Sequence, residues 1–493
     1  NHYLAPFISY NDELVLLIRL KVFLPLFIWS AYSVFWHPLA KVPGPKLYAI
    51  SPVPYYYHLI QGDWHTTLKQ LHDHYGFAVR CGPTDVSFIT ADAFKRIYGH
   101  KTSGSKTFEK DMAFYNDDRA HTTIFDSNNE DHKRIRRLLA HAFSEKALNS
   151  QEDIMKHYVD KFIIKLTEQA KLGSIVDMTA WFNFATFDLI GDLAFGEPFG
   201  CLDSGGYNPW VRLIFDSIKT DAYRHIAQRL GIGNLTVHLI PRKLKLAFQE
   251  HRQLCYNTAL ARIERETKRP DFMSYILRHN DEKGMLQGEI LELSDGLIVA
   301  GSETTATLLS GTTYFLLTNP TTYEKLVEEI RSAFSSEDEI TIVRVNQLSY
   351  TVAVLNEGLR MYPPVPFGLP RKVPLNGELV QGFWLPEKAS FRSSFRSEHN
   401  FVDPEAFIPE RWLGDPRFAN DNTAVLQPFS MGPRNCIGKN LAYAESRLLL
   451  VRLLWKFDIE LMESSKDWNK QSTYVLWDKG SLDVKLTEVV RDT

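Results

Sequence analysis

Cysteine is scarce: Cys81, Cys201, Cys255 and Cys436 are the only thiols in 493 residues. Four scattered cysteines cannot staple a chain of this length, so a disulfide-framework protein is excluded. Charge of one sign is also lacking. Lys and Arg number 56 and Asp and Glu 59, a net charge of −3, which leaves no basic surplus for a nucleic-acid partner. Repeats of domain scale and long linkers are missing, and so is a long uninterrupted apolar run. The stretch from Leu14 to Trp36 is mostly apolar but is broken by Arg19, Lys21 and Pro25. Its clean part, Val22 to Trp36, would rise about 23 Å as a helix, against a hydrocarbon core of ~30 Å.

What is present suits one large body. Hydrophobic residues make up 44% and aromatic residues 13%, enough for a sizeable core or an apolar ligand cavity. The N-terminal stretch has two readings, a single anchor helix with the stems of Arg19 and Lys21 snorkelling, or a helix lying in the membrane interface or packed on the domain. Asp12 and Glu13 precede it and His37, Lys41 and Lys46 follow, so the positive-inside tendency puts the bulk of the chain on the cytoplasmic side. Pro43-Gly44-Pro45 is a stiff break directly afterwards. This divides the chain into an anchor, 1–36, and one large domain, 37–493. Apolar residues at three- and four-residue spacing predict helices over Asp131–Ser144, Asp188–Gly196, Leu244–Thr267, Gly288–Thr318 and Tyr323–Ser335. Around 53–100 and 363–392, short apolar runs mixed with Pro and Gly predict a small sheet with turns. The fold class expected is mainly α with a minor β-sheet region.

The most informative segment is Phe429-Ser430-Met431-Gly432-Pro433-Arg434-Asn435-Cys436-Ile437-Gly438. Gly432 and Gly438 bracket the cysteine and would permit tight, positive-φ turns that bring backbone close to a flat cofactor. Arg434 keeps its charge and can pair with a cofactor carboxylate. The helical run from Asn440 to Glu445 would place the thiolate near a positive dipole end. An isolated cysteine is ordinarily a small buried hydrophobe, but this setting is not ordinary. The segment resembles the haem-binding loop of the cytochrome P450 superfamily, F-x-x-G-x-R-x-C-x-G, at all five fixed positions. The resemblance extends from about residue 37 to the end and implies the mainly α cytochrome P450 fold. It makes Cys436 the axial thiolate of a b-type haem, with Phe429 packed near the sulfur and Arg434 and Gly438 beside the cofactor.

Other segments extend the likeness. Ala300-Gly301-Ser302-Glu303-Thr304-Thr305 lies within an apolar helical run, where Gly and threonine weaken a helix and buried hydroxyls need partners. The residues alone allow a local helix break or a fresh N-cap at Ser302 or Thr304. By resemblance, this groove lies across the haem from Cys436, Thr304 hydrogen-bonds dioxygen, and Glu303 relays protons. Glu357 and Arg360, three apart, followed by Pro409-Glu410-Arg411-Trp412, resemble the pairing in which a buried Glu holds two arginines. Glu357, Arg360 and Arg411 are therefore expected to form a structural triad.

His132 and Arg136 share one helix face and are expected to turn inward to the haem carboxylates. A solvated basic face accounts for Lys133, Arg134 and Arg137, and with Lys439 these would form a docking surface for an acidic reductase. Arg371 matches a further propionate-binding position. Between Pro386 and Phe401 the chain departs from the pattern: it is a few residues short, and Phe395 stands where a His is expected. A shortened strand beside the triad would weaken the cysteine loop. Pocket-lining residues are expected in 100–130, 200–240, 296–304 and 365–370.

The resemblance implies a monooxygenase anchored in the endoplasmic reticulum membrane, with its catalytic domain on the cytoplasmic face. It would take electrons from an NADPH-dependent cytochrome P450 reductase and insert one atom of O2 into an apolar small molecule. The nearest likeness is to filamentous-fungal secondary metabolism, in the group of isotrichodermin hydroxylase, with terpenoid, polyketide or alkaloid-type substrates. A haem-thiolate desaturase or isomerase shares every motif. A catalytically impaired haem or lipophile binder is the reading that the 386–401 departure favours.

Overall fold

The computed structural model describes residues 10–101, 106–115, 120–207, 220, 222–233, 242–265, 269–387, 390–392 and 396–491. Eight longer helices carry the argument: α1 (Tyr10–Phe35), α2 (Asn129–Ala142), α3 (Glu152–Lys171), α4 (Met178–Phe195), α5 (Arg242–Glu264), α6 (Gln287–Leu317), α7 (Ser349–Met361) and α8 (Lys439–Lys456). The mainly α expectation holds.

α4 is apolar all round, and such a helix belongs inside. Phe182, Phe187 and Phe195 on it are at most 1% exposed, and it packs along α6. Its ends are set locally. The Asp177 carboxylate accepts from the Ala180 N–H, and Gly196 takes a left-handed φ of 73° to close the last turn. Asp188, buried within it, accepts the backbone N–H groups of Cys201 and Leu202, so its charge is spent on a chain reversal.

α6 runs unbroken through the polar segment. Ser302, Thr304 and Thr305 return their hydroxyls to the carbonyls of Ile298, Ala300 and Gly301 at 2.6, 2.7 and 3.4 Å. The expected helix break is thus replaced by back-bonding within the helix, which satisfies the hydroxyls without freeing the ladder. Gly301 has a separate reason: a Cβ there would lie 2.5 Å from the Ile190 side chain, so the glycine lets α4 and α6 close together.

The region 53–100 is more helical than expected. Helices Val53–Gln61, Trp64–Tyr75 and Ala91–Tyr98 enclose only two strands, β1 (Ala78–Arg80) and β2 (Asp85–Phe88). Pro here serves at the first turn of a helix, where no N–H is required. The remaining strands are β3 (Glu109–Lys110), β4 (Ile175–Asp177), β5 (Arg371–Lys372), β6 (Glu378–Val380), β7 (Phe383–Leu385), β8 (Ser390–Arg392), β9 (Phe457–Leu461) and β10 (Asp483–Glu488). They form a sheet in the order β1-β2-β8-β5-β3, a sheet β4-β10-β9 and the hairpin β6-β7. β8 lies in the atypical 386–401 segment. It pairs in parallel with β2, Val86 opposite Phe391, and against β5, Lys372 opposite Ser390, so the short segment still supplies a central strand. Phe395 lies outside the described residues.

The Pro43-Gly44-Pro45 break is pinned to this sheet. The Arg80 N–H donates to Pro43 O at 2.7 Å and the Arg80 guanidinium donates to Ser33 O on α1, also at 2.7 Å. Before that anchor point α1 leaves Phe23, Leu26 and Phe27 exposed. Among the described residues no helix is long and apolar enough to cross a membrane.

Candidate active site

The Cys436 loop leads into α8. Its positive-φ residues are Ser430 (57°) and Gly432 (72°), whereas Gly438 has φ −83°, so the expected pair of glycine turns is realised at one glycine only. At Gly432 a Cβ would fall 2.1 Å from Tyr98 O, and no side chain fits. Gly438 matters through space: a Cβ there would sit 4.0 Å from Cys436 Sγ, in the opening beside the sulfur. The Cys436 N–H donates to Phe429 O at 2.8 Å, and the Phe429 ring packs on Tyr443 at 5.1 Å. Burial raises the Cys436 thiol, opposed by the Gly438 N–H and by the charges of Arg136 and Lys439.

Cys436 opens into a cavity of about 420 Å³. Phe429, Gly438 and Leu441 line it, and so do Ala300, Gly301 and Thr304 of α6. The windows 100–130, 296–304 and 365–370 all supply lining residues, among them Tyr115, Phe125, Leu297, Val365 and Phe367. The described residues of 200–240 supply none. Several lining residues lie outside every expected window, among them Phe94, Ile190, Leu308 and Val475. Val475 is a β-branched residue at φ 99°, at a tight chain reversal where Thr473 faces Trp477. No periodicity in the sequence marks it.

Basic side chains gather at another part of the cavity. His132 and Arg136 both line it, as expected, together with Arg371, Arg434 and Lys110. β3 and β5 bring Lys110 directly opposite Arg371. Arg136 donates to Asn435 O at 2.6 Å and to Asn435 Oδ1 at 2.5 Å, clamping α2 to the cysteine loop. Arg434 donates through Nη2 to Ser127 O at 2.9 Å. Arg434 Nη1 and Arg371 Nη1 are buried without a partner among the described residues. His132 is pushed down to about 3 by burial and by the neighbouring Arg434, Lys110, Arg136 and Arg371. Lys110 is held well below its usual range by burial and by Arg371 and Arg434. Arg134 and Arg137 are not a free basic face: Arg134 is bidentate to Glu289 at 2.6 and 2.8 Å, and Arg137 pairs with Asp281 at 3.1 Å.

Thr304 faces the cavity, but its neighbour Glu303 does not line it. Glu303 is wholly buried, bonded to Thr307 at 3.2 Å and paired closely with Lys479, itself buried. Its second oxygen is unpartnered among the described residues. Lys479 has no signal in the sequence, since a lone lysine near a C-terminus reads as solvated.

The expected triad assembles away from the cavity. Arg360 is bidentate to Glu357 at 2.8 and 2.9 Å, and Arg411 Nε reaches the same carboxylate at 3.1 Å. The Trp412 indole N–H and the Ile408 N–H also donate to it, at 2.9 and 2.8 Å. Asp421 takes the far end of Arg411, so two carboxylates, not one, balance the two guanidiniums. Phe401 sits 5.1 and 5.7 Å from the two guanidinium carbons.

These donors fit one kind of guest. Among the described residues no group of three or more His, Cys, Asp or Glu forms a metal-ligand set, so the cavity offers an incoming metal one sulfur. That suits an iron already held in a ring. The apolar walls suit the ring's faces, and the unpartnered guanidinium N–H groups suit two carboxylates on its edge.

The sequence model of the cytochrome P450 family matches residues 43–486. The chain belongs to the cytochrome P450 family. Members of this oxidoreductase family carry haem b with iron held by a cysteine thiolate, and draw electrons from a redox partner to act with O2 on a substrate. The chain is similar to fungal cytochromes P450. It is 45% identical over 93% of its length, and 95% of the relative's, to cytochrome P450 monooxygenase aclL of Aspergillus oryzae. It is 43% identical to cytochrome P450 monooxygenase astA of Talaromyces wortmannii, over 96% of this chain and 97% of that one. It is also 43% identical to trichothecene C-15 hydroxylase of Fusarium sporotrichioides, over 94% and 95%. The expected fungal kinship is therefore established.

Proposed function

We propose that this cytochrome P450 is a monooxygenase that inserts one atom of O2 into an apolar small molecule of fungal secondary metabolism. The observation that carries the reading is the gathering around a single apolar cavity of Cys436, Thr304 and two guanidiniums, Arg371 and Arg434, each with an unpartnered nitrogen among the described residues. The fungal relatives named as monooxygenases and as a hydroxylase support it. Cys436 would ligate the iron, and Phe429 and Gly438 would shape the space at the sulfur. Arg371, Arg434, Arg136 and Lys110 would hold the haem carboxylates, with His132 as a neutral hydrogen-bonding partner. Bound haem supplies oxygen activation, in which two electrons and two protons leave one oxygen atom in the product and one in water.

The protein's part is to exclude water and move protons. Phe367, Leu297 and Phe125 keep the substrate side of the cavity apolar. The Thr304 hydroxyl, donating to Ala300 O in the resting helix, would hand a proton into the cavity that it faces. Glu303, one residue earlier, would replenish it. Its carboxylate rests on Lys479 and Thr307, so the relay requires it to leave that pair.

Electrons would come from an NADPH-dependent reductase docking near Lys439. Residues 1–36 would act as a membrane anchor in the endoplasmic reticulum, with the domain 37–493 on the cytoplasmic side. The exposed apolar face of α1, and Lys41 and Lys46 after it, support that placement. The test is the difference spectrum of the reduced, carbon monoxide-bound protein, followed by turnover under labelled O2. A red-shifted Soret band and one labelled oxygen in the product are expected. A spectrum of neutral ligation, or product without label, refutes the assignment.

A further inference from the structure

Nine residues after Cys436, on the face of α8 turned to α6, stands a carboxyl group that none of these roles uses. Glu445 is 3% exposed and lines the cavity. Its Oε1 has no hydrogen-bond partner among the described residues. Its side-chain partner is the Thr305 hydroxyl on α6, whose Oγ1 lies 3.4 Å from Gly301 O.

Among the described residues no charged group pairs with Glu445: Lys110, His132, Arg136, Arg371 and Arg434 line the same cavity, but none of them exerts a charge effect on it. On α6 Glu303 pairs with Lys479, and on α7 Glu357 pairs with Arg360. On α3 Asp160 pairs with Arg452 of α8. Arg331, in the helix Pro320–Ala333, meets Asp458 of β9, and Arg344, in the turn Ile342–Val345, meets Glu339. Arg447 of α8 turns to Asn346. Glu145 and Lys146, in the helix Glu145–Ser150, are exposed. Among the described residues the fold supplies cations to the buried carboxylates of Glu357 and Glu303 and none to that of Glu445.

An ionised carboxylate with no counter-ion at such a site would be strongly disfavoured. A protonated one can donate to Thr305 Oγ1, which passes the bond to Gly301 O. Burial alone pushes Glu445 up to about 8, opposed only by Thr305.

We propose that Glu445 is a neutral carboxylic acid bridging α8 and α6 beside the haem site, and a positioning residue whose proton sets the electrostatic potential felt by the haem. The inference rests on the haem-thiolate reading above. When Glu445 loses its proton, the new negative charge favours the oxidised, more positive cofactor, so reduction becomes harder. The reaction's first electron is then gated by one proton held on this side chain.

The experiment uses the full, haem-loaded chain and follows its midpoint reduction potential from pH 6.5 to 9.5. The wild-type potential is expected to fall with rising pH, with a bend near 8. Glu445→Gln removes the bend while keeping the thiolate carbon monoxide spectrum, and Thr305→Val, which deletes the hydroxyl bonded to this carboxyl, displaces the bend along the pH axis. A bend that persists in Glu445→Gln, or a wild-type potential flat across the range, overturns the proposal. Infrared spectroscopy supplies a readout independent of the haem: a protonated-carboxyl band at pH 7, lost in Glu445→Gln. Absence of that band also overturns it. A chain that never shows thiolate ligation sinks the haem reading itself, and the infrared band then still decides whether Glu445 holds its proton.

Discussion

At the scale of single residues, the site depends on a few atoms that nothing else in the chain can replace. Replacing Cys436 by Ala removes the sulfur and leaves the cavity without a ligand for iron. The red-shifted band of the reduced carbon monoxide complex should disappear, and its survival would refute the ligand assignment. Thr304→Ala deletes the cavity-facing hydroxyl while the α6 backbone remains intact. Product formed per NADPH should fall severalfold and released peroxide should rise; unchanged coupling would remove Thr304 from proton delivery. Gly432→Ala sets a methyl against Tyr98 O from a left-handed backbone. Little folded, haem-containing protein is expected, measured as thiolate-ligated haem per chain.

At the scale of elements, the cysteine loop is only as well placed as the packing of α7, α8 and the Pro409–Trp412 turn. Glu357 is where this support converges, with five donors on one carboxylate. Glu357→Ala leaves two guanidiniums buried beside it, and breaking such a pair costs about 3–5 kcal/mol. The denaturant midpoint should fall accordingly and haem should be lost on gel filtration; a variant as stable as the parent would contradict the scaffold role. The triad itself was legible from E-x-x-R and Pro409-Glu410-Arg411-Trp412. Asp421 was not, because an exposed-looking Asp ten residues downstream has no pattern linking it to Arg411.

At the scale of the whole molecule, stability should fall in mild acid. His72 is buried between Ser87 at 2.7 Å and Gly76 O at 2.8 Å, and burial pushes it down to about 4. His65, beside Thr473, is likewise pushed to about 4 by burial. Unfolded histidine takes up a proton near 6.5, so between 6.5 and 4 the unfolded chain binds more protons than the folded one. Stability is full above about 6.5 and is lost as pH falls, by up to about 3 kcal/mol for each group. Denaturant midpoints measured from pH 7.5 to 5 should decline, and His72→Gln should flatten the slope. A flat profile in the parent would exclude these histidines as its source.

The sequence by itself determined what depends on short range and on chemical identity. Cys436 in its loop, the helical periods of α2 and α6, the arginine-holding Glu357 and the absence of a disulfide frame are all written in neighbouring residues. Tertiary structure alone decided what depends on partners far along the chain. It turned Glu303 away from the cavity toward Lys479, 176 residues later, and brought Lys110 opposite Arg371. It also kept α6 unbroken by returning its hydroxyls to its own carbonyls, and left Glu445 without a counter-ion. The reason is physical: a charge's state depends on its burial and on the nearest opposite charge, and neither is a property of its sequence neighbours.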